Sequence, residues 1–202
     1  GKIKFKKLAY VNPKTFEMVD DTFARDDKNL YIFEYRLDGI DPKTFKKLSY
    51  EMVKDKNGLY FLEDIEKDNE NIEIKVRKLN IKGLDLRSFE NIDGDYYKDK
   101  NNVYYKLDDN FYKLENADLK TFKILDSSYT GYGNFSKDKN YIYLNNKKLE
   151  EIDVKTFEKM QANLIRDKND IYKVEENEGK HGFKIVPINA RIDFKNLKNL
   201  DW

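Results

Sequence analysis

The chain has 202 residues, no cysteine, and 39 Lys+Arg against 38 Asp+Glu, for a net charge of +1. Those figures exclude disulfides, cysteine nucleophiles and thiolate metal sites, and the interspersed signs leave no basic arm for nucleic acid. No apolar run approaches the ~18 residues that span a bilayer, and 15 Tyr and 13 Phe in a chain that is 38% charged point to a folded protein with a mixed-charge surface, not a disordered polyelectrolyte.

The chain begins Gly1-Lys2 without methionine, as a processed or engineered chain would, which turns the expectation towards an exported protein. Residues 2–10 alternate in part and read as a strand of an incomplete leading unit. They run into Val11-Asn12-Pro13-Lys14-Thr15-Phe16, the first copy of a recurring phrase. The others are Ile40-Asp41-Pro42-Lys43-Thr44-Phe45, Leu84-Asp85-Leu86-Arg87-Ser88-Phe89, Ala117-Asp118-Leu119-Lys120-Thr121-Phe122 and Ile152-Asp153-Val154-Lys155-Thr156-Phe157. Asp or Asn before Pro has the form of a helix N-cap with proline at the first helical position. The apolar residue before the cap and the phenylalanine four after it form a hydrophobic staple. Val19, Leu48, Ile92, Leu125 and Met160, three beyond each phenylalanine, extend the apolar face if the turn continues as helix. Each copy therefore predicts a capped turn or two of helix. Ile192-Asp193-Phe194-Lys195-Asn196-Leu197, with Leu200, keeps the staple and cap and counts as a sixth, terminal copy. The caps near 12, 41, 85, 118, 153 and 193 are about 29 to 44 residues apart, the irregular period of a repeat array.

Between caps the order is constant. A strand-like piece (Thr22–Arg25 in the first unit, Tyr50–Val53 in the second) leads to a turn: Asp27-Lys28-Asn29, Asp55-Lys56-Asn57, Asp99-Lys100-Asn101, Asp138-Lys139-Asn140 or Asp167-Lys168-Asn169. Aspartate bonds the backbone two residues on, and asparagine tolerates a left-handed conformation. A second strand follows, rich in β-branched and aromatic residues, such as Leu30-Tyr31-Ile32-Phe33 and Val103-Tyr104-Tyr105. A third strand precedes the next cap. In two units the last hairpin is lengthened, around Lys67-Asp68-Asn69-Glu70-Asn71 and over residues 175–182. Insertions at one point of a repeat project from one face, often the binding face.

Asp-Lys-Asn with Tyr-Tyr, alternating with Asp-Pro-Lys-Thr-Phe, resembles the bacterial repeat family named for its DKNYY motif, over essentially the whole chain. Asn12 stands where that pattern has Asp, and Ser88 where it has Thr. The resemblance implies a bacterial protein, often exported or envelope-associated. It carries no established activity and hence no catalytic residues.

Nothing in the residues adds a chemistry. Asp-Lys-Asn offers two oxygens to calcium, but Leu30, Leu59, Val103, Tyr141 and Ile171 follow where further ligands would have to continue. His181 is the sole histidine, in a loop, with no partners for a triad or for zinc. Gly131-Tyr132-Gly133 lacks the strand–loop–helix setting of a phosphate loop. The strand tyrosines could stack on sugars, but their fixed places favour cross-strand pairs and a core, and Trp202 is expected to cap the terminal unit. No catalytic, metal or cofactor site is assigned, and no cofactor is expected.

The architecture expected is one β-rich repeat domain over residues 1–202: three-stranded meanders joined by capped helical turns and stacked as an elongated array, with a small closed propeller as the alternative. The function expected is a non-catalytic binding or scaffold module of the bacterial cell envelope, meeting a protein or a glycan. The alternative is a cytoplasmic immunity-type inhibitor of a cognate toxin. Neither reading involves nucleic acid or a membrane span.

Overall fold

A computed structural model describes residues 10–68, 71–125, 133–161, 163–176 and 182–188. The strand expected before Tyr10, the sixth cap at Ile192, His181 and Trp202 lie outside them. Every regular element among the described residues is a β-strand.

The strands form five four-stranded antiparallel sheets, each joined in chain order and none closed on itself. The first contains β1 (Glu17–Met18), β2 (Phe23–Arg25), β3 (Leu30–Ile32) and β4 (Tyr35–Leu37), and the second β5 (Lys46–Lys47), β6 (Met52–Lys54), β7 (Leu59–Asp68) and β8 (Asn71–Leu79). The third contains β9 (Glu90–Asp93), β10 (Tyr96–Lys98), β11 (Val103–Leu107) and β12 (Asn110–Lys113), and the fourth β13 (Lys123–Ile124), β14 (Phe135–Lys137), β15 (Ile142–Leu144) and β16 (Lys147–Leu149). The fifth is β17 (Glu158–Gln161), β18 (Leu164–Arg166), β19 (Ile171–Glu176) and β20 (Phe183–Pro187). The chain divides into two compact units, Gly1–Asn91 and Ile92–Trp202. The first two sheets belong to the former and the last two to the latter, with the border running through β9.

A mainly β repeat with one meander per cap is therefore what the chain forms. The difference from expectation is at the start of each meander. The cap is followed by a single turn, closed by Thr15 N–H to Asn12 O at 3.1 Å and Thr44 N–H to Asp41 O at 3.3 Å, and the chain then turns at once into a short first strand. Glu17 and Met18 pair with Arg25 and Ala24, and Lys46 and Lys47 pair with Lys54 and Val53. One turn of helix fixes several dihedrals for few bonds, whereas the sheet edge satisfies the same backbone groups directly. The capping reading survives, since Asp41 Oδ1 accepts Lys43 N–H at 2.9 Å and Asp118 Oδ1 accepts Thr121 N–H at 3.0 Å. The second helical turn does not exist. Consequently Val19, Ile92, Leu125 and Met160 are exposed rather than packed on a helical face.

The core lies between successive sheets. In the first unit Phe23, Leu30, Ile32 and Leu37 meet Val53, Tyr60 and Leu62, with Ile40 and Phe45 of the second cap wedged among them. In the second unit Tyr96, Val103 and Tyr105 meet Tyr143, and Phe135, Ile142 and Leu144 meet Ile165, Tyr172 and Val174. The central strands are buried on both faces; β3, β6 and β15 expose none of their side chains. Tyr31, Tyr60, Tyr96, Tyr97, Tyr104, Tyr105, Tyr143 and Tyr172 thus belong to the core, as their spacing indicates, while Tyr112 on the outer strand β12 is 40% exposed.

Candidate functional site

Each sheet has two unlike ends. At one, the Asp-Lys-Asn turn joins the second strand to the third and the cap of the same repeat lies against it. At the other, the open end, the first and last turns of the meander emerge together.

At the first end the two sequence phrases are two halves of one joint. In the second repeat Asp55 Oδ1 accepts the N–H groups of Asn57 and Gly58 at 2.7 and 2.9 Å, and its Oδ2 accepts the cap N–H of Asp41 at 2.7 Å. The fourth and fifth repeats repeat this arrangement: Asp138 and Asp167 accept the N–H groups of Asp118 and Asp153, each at 2.7 Å. A tyrosine five residues on donates to the same carboxylate, as Tyr31 does to Asp26, Tyr104 to Asp99 and Tyr143 to Asp138, at 2.9–3.1 Å. Burial alone would raise the pKa of Asp26, yet the N–H groups of Asn12, Lys28 and Asn29 hold it well below the carboxylate range. Conversely, burial and the carboxylate of Asp55 push Tyr60 up to about 12. The oxygens a cation would need are committed to the backbone. Among the described residues no group of three or more His, Cys, Asp or Glu is placed to hold a metal ion.

The joint is closed on its surface by an ion pair. Lys56 meets Asp41 at 2.5 Å, Lys139 meets Asp118 at 2.7 Å and Lys168 meets Asp153 at 2.9 Å. The Lys139 contact, with the Thr121 hydroxyl, lowers the Asp118 pKa to about 2. The first repeat inverts the pair. Its buried carboxylate is Asp26, not Asp27: Asp26 accepts from Lys28 and Asn29 and from the Asn12 N–H. The turn expected as Asp27-Lys28-Asn29 is therefore displaced by one residue, because Asp26, like Asp55, Asp99, Asp138 and Asp167, is the residue four before the strand that follows, which begins at Leu30 here. Asp27 takes the place that lysine has elsewhere, and it faces Asn12, whose Nδ2 donates to it at 2.8 Å. The Asn12 departure and Asp27 are thus one compensated exchange.

A second link ties one repeat to the next. Arg25, just before the buried aspartate, donates to Pro42 O of the second cap at 3.0 Å. Its counterpart Lys54 is buried, and its ammonium donates to the carbonyls of Leu86, Arg87 and Phe89 in the third cap. Burial lowers the Lys54 pKa. These two side chains fasten one repeat to the next.

The open ends are different. In the first unit Phe33 and Tyr50 are each 51% exposed, with ring centroids 6.5 Å apart. Phe33 has φ 49°, in the left-handed region that siblings at the same turn fill with Asp108 and Asn145. A bulky side chain is an outlier there. The β7–β8 hairpin of the second sheet carries a cross-strand ion pair of Glu63 with Arg77 and Lys75.

In the second unit the open ends enclose a half-open cleft of about 350 Å³. Leu107 and Tyr112 come from the third sheet, Leu144, Asn145, Asn146 and Lys147 from the fourth, and Gly182 and Phe183 from the fifth. Gly133 lies behind the floor with φ 82°; a Cβ there would come within 2.8 Å of Leu144 Cδ1 and 3.0 Å of Asn145 Oδ1 and Phe183 Cδ2. Asn134 and Asn145 exchange bonds at 2.7 and 2.8 Å, and Asn134 Oδ1, behind that floor, is buried without a partner. Among the described residues the lining holds no carboxylate, histidine, serine or threonine; its titratable groups are the Tyr112 hydroxyl and the Lys147 ammonium.

The tip of the first insertion, at residues 69–70, lies outside the described residues, and Phe183, at the far side of the second insertion, lines the cleft. Residues 177–181 of that insertion are outside the described residues. Sequence reasoning missed Phe33, Asn145 and the cleft. The available signal was comparison of the turn after the third strand, where Phe33 stands against Asp108 and Asn145.

Compared with known proteins, the chain matches the family model described as the DKNYY family over residues 3–64 and 105–176. No curated protein and no solved structure matches it.

Proposed function

The chain belongs to the DKNYY family, and from that premise we propose a non-catalytic binding or scaffold module of the bacterial cell envelope that meets a protein partner through the open ends of its sheets. One observation carries the reading: the repeated polar groups are consumed at the joints, while Val19, Phe33, Tyr50 and Leu125 are exposed at the other end. Phe33 is the clearest case, since it exposes an aromatic ring at a turn position where an asparagine would fit without strain. A solvent-facing aromatic held against the backbone's preference has its return in what it touches.

The test replaces Phe33→Asn and Tyr50→Ser together in the whole chain. Wild type and variant are immobilised, exposed to an envelope extract of the source bacterium, cross-linked and compared. Partners held by the wild type and lost from a variant of equal or higher Tm support the reading. Identical sets of retained proteins, or none beyond background, sink it.

A further inference from the structure

We propose that the cleft of the second unit is a carboxylate-recognition site, which receives an acidic side chain of a peptide segment flanked by apolar residues; this rests on the protein-binding reading above. The cleft has a built donor on its floor. Asn145 is only 7% exposed and lines the cleft. Its Oδ1 accepts the Asn134 N–H at 2.7 Å, which fixes the orientation of the amide. Its Nδ2 has no protein partner among the described residues and opens on the cleft, where its two N–H groups can meet a ligand in place of water.

Charge points the same way. Lys147 also lines the cleft and joins no ion pair among the described residues, although its neighbour Lys148 is paired with Glu150 at 2.8 Å. With an ammonium in the lining and no carboxylate among its described residues, the local field favours an anion. An amide N–H and an ammonium converging on one oxygen group make charge-assisted bonds, stronger than neutral ones. Of the other lining residues, Leu107, Leu144 and Phe183 suit apolar flanking residues, and Tyr112 and Asn146 add a hydroxyl and a second amide. The unpartnered Asn134 Oδ1 is behind the floor and is not part of the lining, so it does not oppose the anion directly. A volume of about 350 Å³ accommodates a side chain with part of its neighbours, not a folded domain.

The turn itself supplies the decisive variant. Asn145 has φ 54° and the sibling turn holds Asp108 at φ 51°, so Asn145→Asp keeps a residue the backbone accepts and keeps an oxygen for the Asn134 N–H. It exchanges only the NH2 donor for a second oxygen. The probes are two peptide pools, acetyl-Xaa-Asp-Xaa-amide and acetyl-Xaa-Asn-Xaa-amide, with apolar residues at Xaa. Each is titrated against the 15N-labelled whole chain and followed at the backbone amide signals of Asn146 and Phe183, which wild type and Asn145→Asp share, with the Asn145 side-chain amide as a further probe in the wild type. The expected result is saturable shifts with the Asp pool, at least about five-fold tighter than with the Asn pool, and about ten-fold or greater weakening in Asn145→Asp. Raising salt should weaken the Asp pool alone. Equal binding of the two pools, or unaltered binding by Asn145→Asp, overturns carboxylate recognition and leaves a neutral peptide cleft. Failure of both pools overturns it too, while retention of partners lost on Phe33→Asn/Tyr50→Ser would show that the wider binding role stands without it.

Discussion

Replacing Asp26 by asparagine changes one atom at the centre of a joint, and the structure sets the size of the effect. The carboxylate receives the N–H groups of Lys28 and Asn29 at 2.8 and 2.7 Å on one oxygen, and the Asn12 N–H at 2.9 Å and Tyr31 hydroxyl at 3.1 Å on the other. In Asp26→Asn the remaining oxygen keeps the first two bonds without charge assistance, at a cost of about 1 kcal/mol each. The NH2 group then faces the Asn12 N–H, whose orphaned donor costs about 1–3 kcal/mol more. Tyr31 can reverse and accept. The sum is about 3–5 kcal/mol, a large part of a typical stability of about 5–15 kcal/mol. The pH dependence has a definite sign. The folded pKa of Asp26 is below its ordinary value of 3.8, so its stabilisation is complete above that value and is lost as pH falls through the folded value. Urea unfolding by circular dichroism, with hydrogen exchange at the Asn12 amide, measures both. A deficit under 1 kcal/mol at pH 7, or one that does not shrink between pH 5 and pH 2, would refute the joint as drawn.

Two further outcomes follow from the same contacts. Asn12→Asp alone sets two carboxylates against each other and should destabilise by about 1 kcal/mol, whereas Asn12→Asp with Asp27→Lys rebuilds the pair of Asp41 and Lys56; a double-mutant cycle should return a favourable coupling of about 0.5–1 kcal/mol. Phe45→Ala, at a side chain 7% exposed among the core residues of the first unit, should cost about 3–5 kcal/mol, while Leu125→Ser at 38% exposure should stay within about 0.5 kcal/mol; chemical denaturation of the two variants side by side decides whether the helical or the strand reading of that segment is right.

What the sequence made legible was whatever depends on near neighbours. The cap at Asp41, the staple of Ile40 and Phe45, the meander after it and the buried tyrosines all follow from spacing, because each is decided within a few residues. The second helical turn was misread because a strand of two residues, such as Lys46–Lys47, is too short to alternate and takes its identity from the partner it pairs with. The one-residue displacement at Asp26 was hidden for a related reason: two adjacent aspartates are alike until the Asn12 N–H, 14 residues earlier, chooses between them. The joint between the two phrases is a tertiary contact, as are the Lys54 carbonyl cage and the cleft around Asn145, and periodicity reports none of these. The exposure of Phe33 was unreadable for the opposite reason. An aromatic at the end of an apolar strand looks like core, and only its backbone angle shows otherwise.

The joint also says how such a chain could lengthen over generations. The cap and the carboxylate it meets are 14 residues apart in the first, second and fifth repeats and 20 apart in the fourth, yet the fourth makes its bond at 2.7 Å like the second and fifth. A tandem copying event that duplicates about 35 residues of coding sequence carries both halves of its own fastener. Six added codons in the span between them leave the fastening unchanged. Growth by copying then requires no simultaneous repair elsewhere in the gene, and novelty is free to accumulate in the loops the fastener does not touch.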